Sequence, residues 1–253
     1  LYKIAAYAKK KKIIVIEDNC ESLGAMQKNK FMGTFGDFGT FSFFYSHQIT
    51  SGEGGMVVCN NSEDYKILKS LRSHGWVRDI KIAKKFPNLD PRYIFINSGF
   101  NLRPTDIQAA IGSSQFNKLV LFRKNRINNR KKIIDSLKND FRWRDQFSFL
   151  NVPKNVKPSY MVFPIFLNKK FRHKKKKFIN LVENKGLQTR PIISGSFVNQ
   201  PATKLYSLNR KKEKFEGADI VEQLGFVIGL HTKKIEKKQI NFIKNTLFLI
   251  DKI

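Results

Sequence analysis

The chain has 253 residues, 41% of them apolar, 27% charged and 13% aromatic, enough to bury a core of one or two domains and incompatible with wholesale disorder. Lys and Arg number 48 against 20 Asp and Glu, a net charge of +28, yet Asn, Ile and Phe are in excess too. That pattern points to codon supply and solvated faces, so no nucleic-acid partner is expected from the charge, whereas a nucleotide-linked substrate suits it. Cys20 and Cys59 lie in no CxxC pair, which leaves a disulfide framework, a thiolate metal site and a cysteine-ligated cluster unsupported and suggests a reducing, cytoplasmic compartment. No apolar run is long enough to span a bilayer, so membrane insertion is not expected.

Apolar residues recur at helical spacing over residues 1–10 with no N-cap before them, so the chain reads as beginning inside a helix. Residues 13–17 form a β-branched run suited to a buried parallel strand, with Asp18 at its C-terminal end. Strands are predicted at 40–44 and 56–59, the second after the glycine-dense loop 52–55, and a helix at 62–73. Residues 76–98, with Pro87 and Pro91, read as a long loop. Helical pattern starts at Thr105, after Pro104, and persists with interruptions to about Leu137. Pro153 and Pro158 mark a composition shift. Beyond it a strand at 160–167, a helix at 174–184, a strand at 187–193 and helices at 216–223 and 234–249 describe a smaller α/β unit. Domains are therefore expected at 1–150 and 151–253. Trp76, Trp143 and most Phe read as core.

Three segments look chemical: EDNCESLGA (17–25), GTFSFFYSHQITSGEGG (39–55) and SGFNLRPTDIQAAIG (98–112). An acid ending a parallel strand, hydroxyls and a His after the next strand, and a glycine turn together describe a cofactor cleft at the C-terminal edge of a sheet. Singly the residues are ordinary. Asp18 and Glu21 read as a helix N-cap and its first-turn acid, Ser42 as a strand hydroxyl, His47 as a satisfied loop histidine, Asn101 as a turn former, and Arg78 and Arg190 as surface charges.

Together the segments resemble the pyridoxal-phosphate enzymes of the DegT-type sugar aminotransferase family. The resemblance implies an aspartate-aminotransferase-type (fold type I) α/β large domain, shortened at its N-terminus, followed by a small C-terminal α/β domain. The family places a Schiff-base Lys two residues before the Ile-Thr of the glycine loop. Here that place holds His47, and no Lys occurs between Lys30 and Lys66. An imidazole forms no Schiff base but can move protons near neutral pH. His in the Lys place resembles the family's sugar 3-dehydratase branch, although Gln48 and Tyr45 depart from the branch's usual loop.

The resemblance implies that His47 is the base and Glu21 a second active-site acid. It implies that Asp18 holds the pyridine nitrogen protonated, that Ser42 ligates the phosphate, and that Asn101 reaches the neighbouring subunit's cofactor in a homodimer. His74, Arg78 and Arg190 would contact a nucleotide-linked 4-keto-6-deoxy sugar or the carboxylate of glutamate, the amino donor. The implied cofactor is pyridoxal or pyridoxamine phosphate, without an iron–sulfur cluster. A sugar aminotransferase and an inactive or scaffold homologue are the alternatives.

Overall fold

The computed structural model describes residues 1–78, 80–206 and 215–253, so Asp79, the last residue of the SHGWVRD motif, lies outside the described residues. The chain forms two compact units, Leu1–Val120 with Lys154–Ser159, and Leu121–Pro153 with Tyr160–Ile253. The boundary expected at 150 falls inside the second unit. Ile133 and Leu137 of the helix Leu119–Lys138, together with Phe147, belong to that unit's hydrophobic core.

The first unit is built on a three-stranded sheet in which Phe38–Ser42 lies between Ile16–Asp18, its parallel neighbour, and Gly55–Cys59, its antiparallel one. The register sets Asp18 opposite Thr40 and Ser42 opposite Gly55, so the acid and the hydroxyl emerge at the same strand ends. Gly39 is required there, because a Cβ at that position would fall 2.1 Å from the Gly33 carbonyl oxygen. The helix Ser62–Leu71 follows, and its N-terminal N–H of Asp64 donates to the Asn61 side chain at 2.8 Å. The expected loop 76–98 instead contains the helix Ile80–Ala83 and a two-stranded ribbon, Trp76–Val77 with Ile94–Phe95, which absorb backbone groups a bare loop would leave unpaired. The helix predicted from Thr105 is two helices, Asp106–Phe116 and Leu119–Lys138.

The second unit carries an antiparallel sheet ordered Thr189–Arg190, Gly225–Gly229, Val162–Leu167, Phe147–Phe149. Alternate residues Phe163, Ile165 and Leu167 are fully buried, as a half-covered strand dictates, and pack with Phe178, Val182, Phe226, Leu247 and Ile250. Burying each such side chain contributes roughly 1.5–3 kcal/mol. Trp143 packs against this core, as expected. The strand predicted at 187–193 shrinks to Thr189–Arg190 because Pro191 has no N–H for the ladder. Two strands, Phe147–Phe149 and Gly225–Gly229, were not predicted. Asp140, with its side chain 6% exposed, pairs with Arg142 at 2.8 Å and Lys244 at 2.9 Å, tying residues 140–142 to the helix Lys237–Leu247. Among the described residues no helix is long and apolar enough to cross a membrane.

Candidate active site

Asp18 ends its strand with an Asx-type turn. Its carboxylate accepts the Cys20 N–H at 3.1 Å and lies 3.4 Å from the Thr40 hydroxyl, and residues 20–24 are turn rather than the first turn of a helix. The helix-cap reading of Asp18 and Glu21 therefore does not hold. The Cys20 thiol and N–H hold the Asp18 carboxyl below its ordinary range, and the same carboxylate pushes the Cys20 thiol up.

Sequence reasoning overlooked Glu17, the residue that frames this end of the strand. Buried at 7% exposure, its carboxylate accepts N–H groups of Gly33 at 2.8 Å, Gly36 at 2.7 Å and Phe35, pinning the turn beside Gly39. A charge satisfied by backbone amides leaves no partner residue type to find in a sequence.

Ser42 ends the middle strand, and its Oγ accepts the Phe44 N–H at 3.2 Å. The following loop is closed at its base, where Phe43 donates to the Gly54 carbonyl at 2.8 Å and Ser51 donates to the Phe43 carbonyl at 2.9 Å. Within it the His47 N–H donates to the Phe44 carbonyl at 3.1 Å, and the imidazole meets the Phe44 ring edge-on at 5.7 Å. His47 Nδ1 is buried with no hydrogen-bond partner among the described residues, unlike a satisfied loop histidine. The next side chain, Gln48, donates from Nε2 to the carbonyls of Glu21 and, at 3.3 Å, Ser159. Strand pairing and these bonds gather Asp18, Glu21, Ser42 and His47 at the C-terminal edge of the parallel pair.

The glycine loop is also tied to the helix Asp106–Phe116. Thr105 and Gln108 form a capping box, with the Gln108 N–H on Thr105 Oγ1 at 3.3 Å and the Thr105 N–H on Gln108 Oε1 at 2.9 Å. Gln108 Nε2 then donates to the Glu53 carbonyl at 3.1 Å.

His74 and Asn101 form a second group. An antiparallel bridge joins Ser73 to Asn101, and the His74 N–H donates to the Phe100 carbonyl at 2.8 Å. His74 takes φ +62° and Gly75 φ +83°; a Cβ on Gly75 would lie 1.6 Å from the Asn97 carbonyl oxygen, so only glycine fits. Trp76, expected in the core, is half-buried and stacked on Tyr93 with ring centroids 6.0 Å apart, and the Arg78 guanidinium lies 4.1 Å from the Trp76 ring. Arg190 belongs to the second unit, exposed on an edge strand opposite Val227.

The chain is 32% identical over 226 residues to GDP-4-keto-6-deoxy-D-mannose 3-dehydratase of Escherichia coli, covering 87% of this chain and 56% of that protein. It is 30% identical over 251 residues to UDP-4-amino-4,6-dideoxy-N-acetyl-beta-L-altrosamine transaminase of Campylobacter jejuni, covering 98% of this chain and 61% of the relative. A solved structure of the E. coli 3-dehydratase with bound hydrated PLP superposes with a TM-score of 0.81 at 28% identity, covering 97% of this chain and 63% of that one. The chain thus spans less than two thirds of the length of these relatives, and it shares their fold, the α/β arrangement of fold type I pyridoxal-phosphate enzymes. The model of the DegT/DnrJ/EryC1/StrS aminotransferase family matches residues 1–246, and the chain belongs to that family.

Proposed function

We propose that this chain carries the catalytic site of a pyridoxal-phosphate-dependent 3-dehydratase, which removes the C3 hydroxyl of a nucleotide-linked 4-keto-6-deoxy sugar. The observation that carries the reading is His47, an imidazole whose buried Nδ1 has no partner among the described residues, in the loop where the family has its Schiff-base Lys. The surrounding residues fit the cofactor. Asp18 offers a carboxylate held ionised at a strand end, and the Ser42 hydroxyl, accepting from Phe44, has its own hydrogen to give a phosphate oxygen.

When bound, the cofactor supplies an electron sink that weakens the bond to the C3 oxygen. Asp18 holds the proton on its ring nitrogen. The His47 imidazole, in the place of the family's Schiff-base Lys, acts as the base. Once protonated, the same imidazole donates to the departing hydroxyl. Glu21 orients the cofactor's oxygen substituent or His47. His74, Arg78 and Arg190 bind the anionic groups of the sugar nucleotide or of glutamate, whose amine restores the amine form of the cofactor. Asn101 serves the partner site of a homodimer, a reading supported by the exposed apolar residues around it, Phe100, Leu102 and Ile107. The reading needs no iron–sulfur cluster and places the protein in the cytoplasm.

Similarity to the transaminase favours a second reading, a sugar aminotransferase, which requires a lysine amine at the cofactor. One experiment separates the two: incubation with a 4-keto-6-deoxy sugar nucleotide, pyridoxal phosphate and glutamate, followed by mass spectrometry. The dehydratase yields a 3-deoxy-4-keto product, and borohydride leaves no cofactor mass on the resting protein. A 4-amino sugar as the end product, with a reduced cofactor–lysine adduct, would establish the aminotransferase instead.

A further inference from the structure

We propose that Gln48 is the positioning residue of the His47 base, locking its loop to the strand-end turn that carries Glu21. The proposal rests on His47 being the base. Gln48 is 2% exposed, and its carboxamide nitrogen donates to two main-chain carbonyls from separate segments, Glu21 and Ser159. Neither segment is a neighbour of residue 48 in the chain, and both belong to the same compact unit as His47. The next residue, Ile49, is 3% exposed, so residues 48 and 49 anchor the loop on its inner side while Tyr45 and Ser46 remain exposed.

His47 has few restraints of its own. Its main-chain N–H is held by Phe44, but its Nδ1 has no partner among the described residues, so no hydrogen bond from Nδ1 to them fixes the ring. A base must be held within about 0.5 Å of its productive position, and here the holding falls to the adjacent residue. The chemistry of the anchor is specific to an amide. Two carbonyl oxygens converge on one NH2 group, which has two hydrogens to give; a carboxylate has none and would repel both oxygens. Gln48 thus also ties the main chain at Glu21, the orienting acid, to that at His47, the base.

Three variants and one measurement on the unaltered protein test this. His47→Asn is the control for the underlying reading, and its activity should fall at least a hundredfold. Gln48→Glu preserves shape and removes the donor, and kcat should fall at least tenfold while KM for the sugar nucleotide stays within twofold. Gln48→Asn keeps the donor on a shorter stem and should recover part of that loss. In the unaltered protein, NMR should show the Gln48 carboxamide protons protected from exchange and close to the Glu21 and Ser159 backbones. If His47→Asn stays active, the base reading fails. If it is inactive while Gln48→Glu retains wild-type kcat, or changes KM alone, the positioning role fails and the base stands. Should Gln48→Glu not fold, the NMR measurement decides: rapidly exchanging carboxamide protons overturn the proposal and protected ones uphold it.

Discussion

Replacing Glu17 with Gln removes a charge whose work is entirely local. In the native turn one carboxylate oxygen accepts the Gly33 N–H and the other accepts those of Phe35 and Gly36. A carboxamide keeps a single acceptor, which the Phe35 and Gly36 pair would retain, and turns its NH2 toward the Gly33 N–H. One charge-assisted bond is lost, about 1.5–3 kcal/mol, and the two that remain weaken to neutral strength, for a total of about 3–5 kcal/mol. Because the chain forms two compact units, a global melt would mix their transitions, so the assay is residue-resolved amide exchange. At about 1.4 kcal/mol per factor of ten, Gly33, Phe35 and Gly36 should exchange roughly a hundredfold faster or more. Second-unit amides such as those of Phe163 and Phe226 should be unchanged. Acceleration of less than threefold at the turn, or equal acceleration in the second unit, would refute the reasoning.

Asp18→Asn should speed alkylation of Cys20 by iodoacetamide at pH 8, since the carboxylate that pushes the thiol up is gone; peptide mass spectrometry reads the rate, with Cys59 as internal reference. Asp140→Asn should destabilise the second unit by about 1.5–3 kcal/mol at pH 7. Arg142, with Lys244, holds the Asp140 carboxyl far below its ordinary range, so the contribution is complete above the unfolded value near ~3.9 and is lost as pH falls toward the folded one. The gap between wild type and variant should therefore close below about pH 4 in acid titrations monitored through Trp143. Mixing Asn101→Ala with His47→Asn subunits should restore part of the activity if the site is shared between subunits, because one of the two sites is then intact; proven exchange without recovery counts against a shared site.

Elements with local chemical signals were legible in the sequence. The helix starts expected at 62 and, after Pro104, at 105 lie where the structure has them, and there Asn61 and Thr105 supply side-chain caps. The strand Phe38–Ser42 was placed two residues late because Gly39 resembles turn material, while its real constraint is the distant Gly33 carbonyl. Gly225–Gly229 was missed for a different reason. It is the second strand in sheet order, with neighbours on both sides, so residues 225–228 are all buried and show no alternation, and five residues offer too little length to separate strand from helix. In the site, Asp18, Ser42 and His47 were singled out through the resemblance of their segments to the family, since singly they are ordinary. Glu17 was not singled out, and Gln48 only as a departure from the usual loop, since their partners are main-chain groups. The Arg78–Trp76–Tyr93 stack unites residues across a ribbon whose pairing has no periodic signature.

The division of labour within Gln108 bears on the order in which this unit consolidates. Its oxygen caps a helix while its nitrogen holds the Glu53 carbonyl, so one side chain cannot be ordered for the helix and remain unordered for the loop. Glutamate, the usual residue of a capping box, would serve the helix equally well but has no hydrogen for Glu53. With an amide there, the first turn of Asp106–Phe116 and the glycine loop beyond His47 form one cooperative segment, opening and closing together on the timescale of local unfolding. Opening of the glycine loop at Glu53 is therefore coupled to unwinding of a helix end.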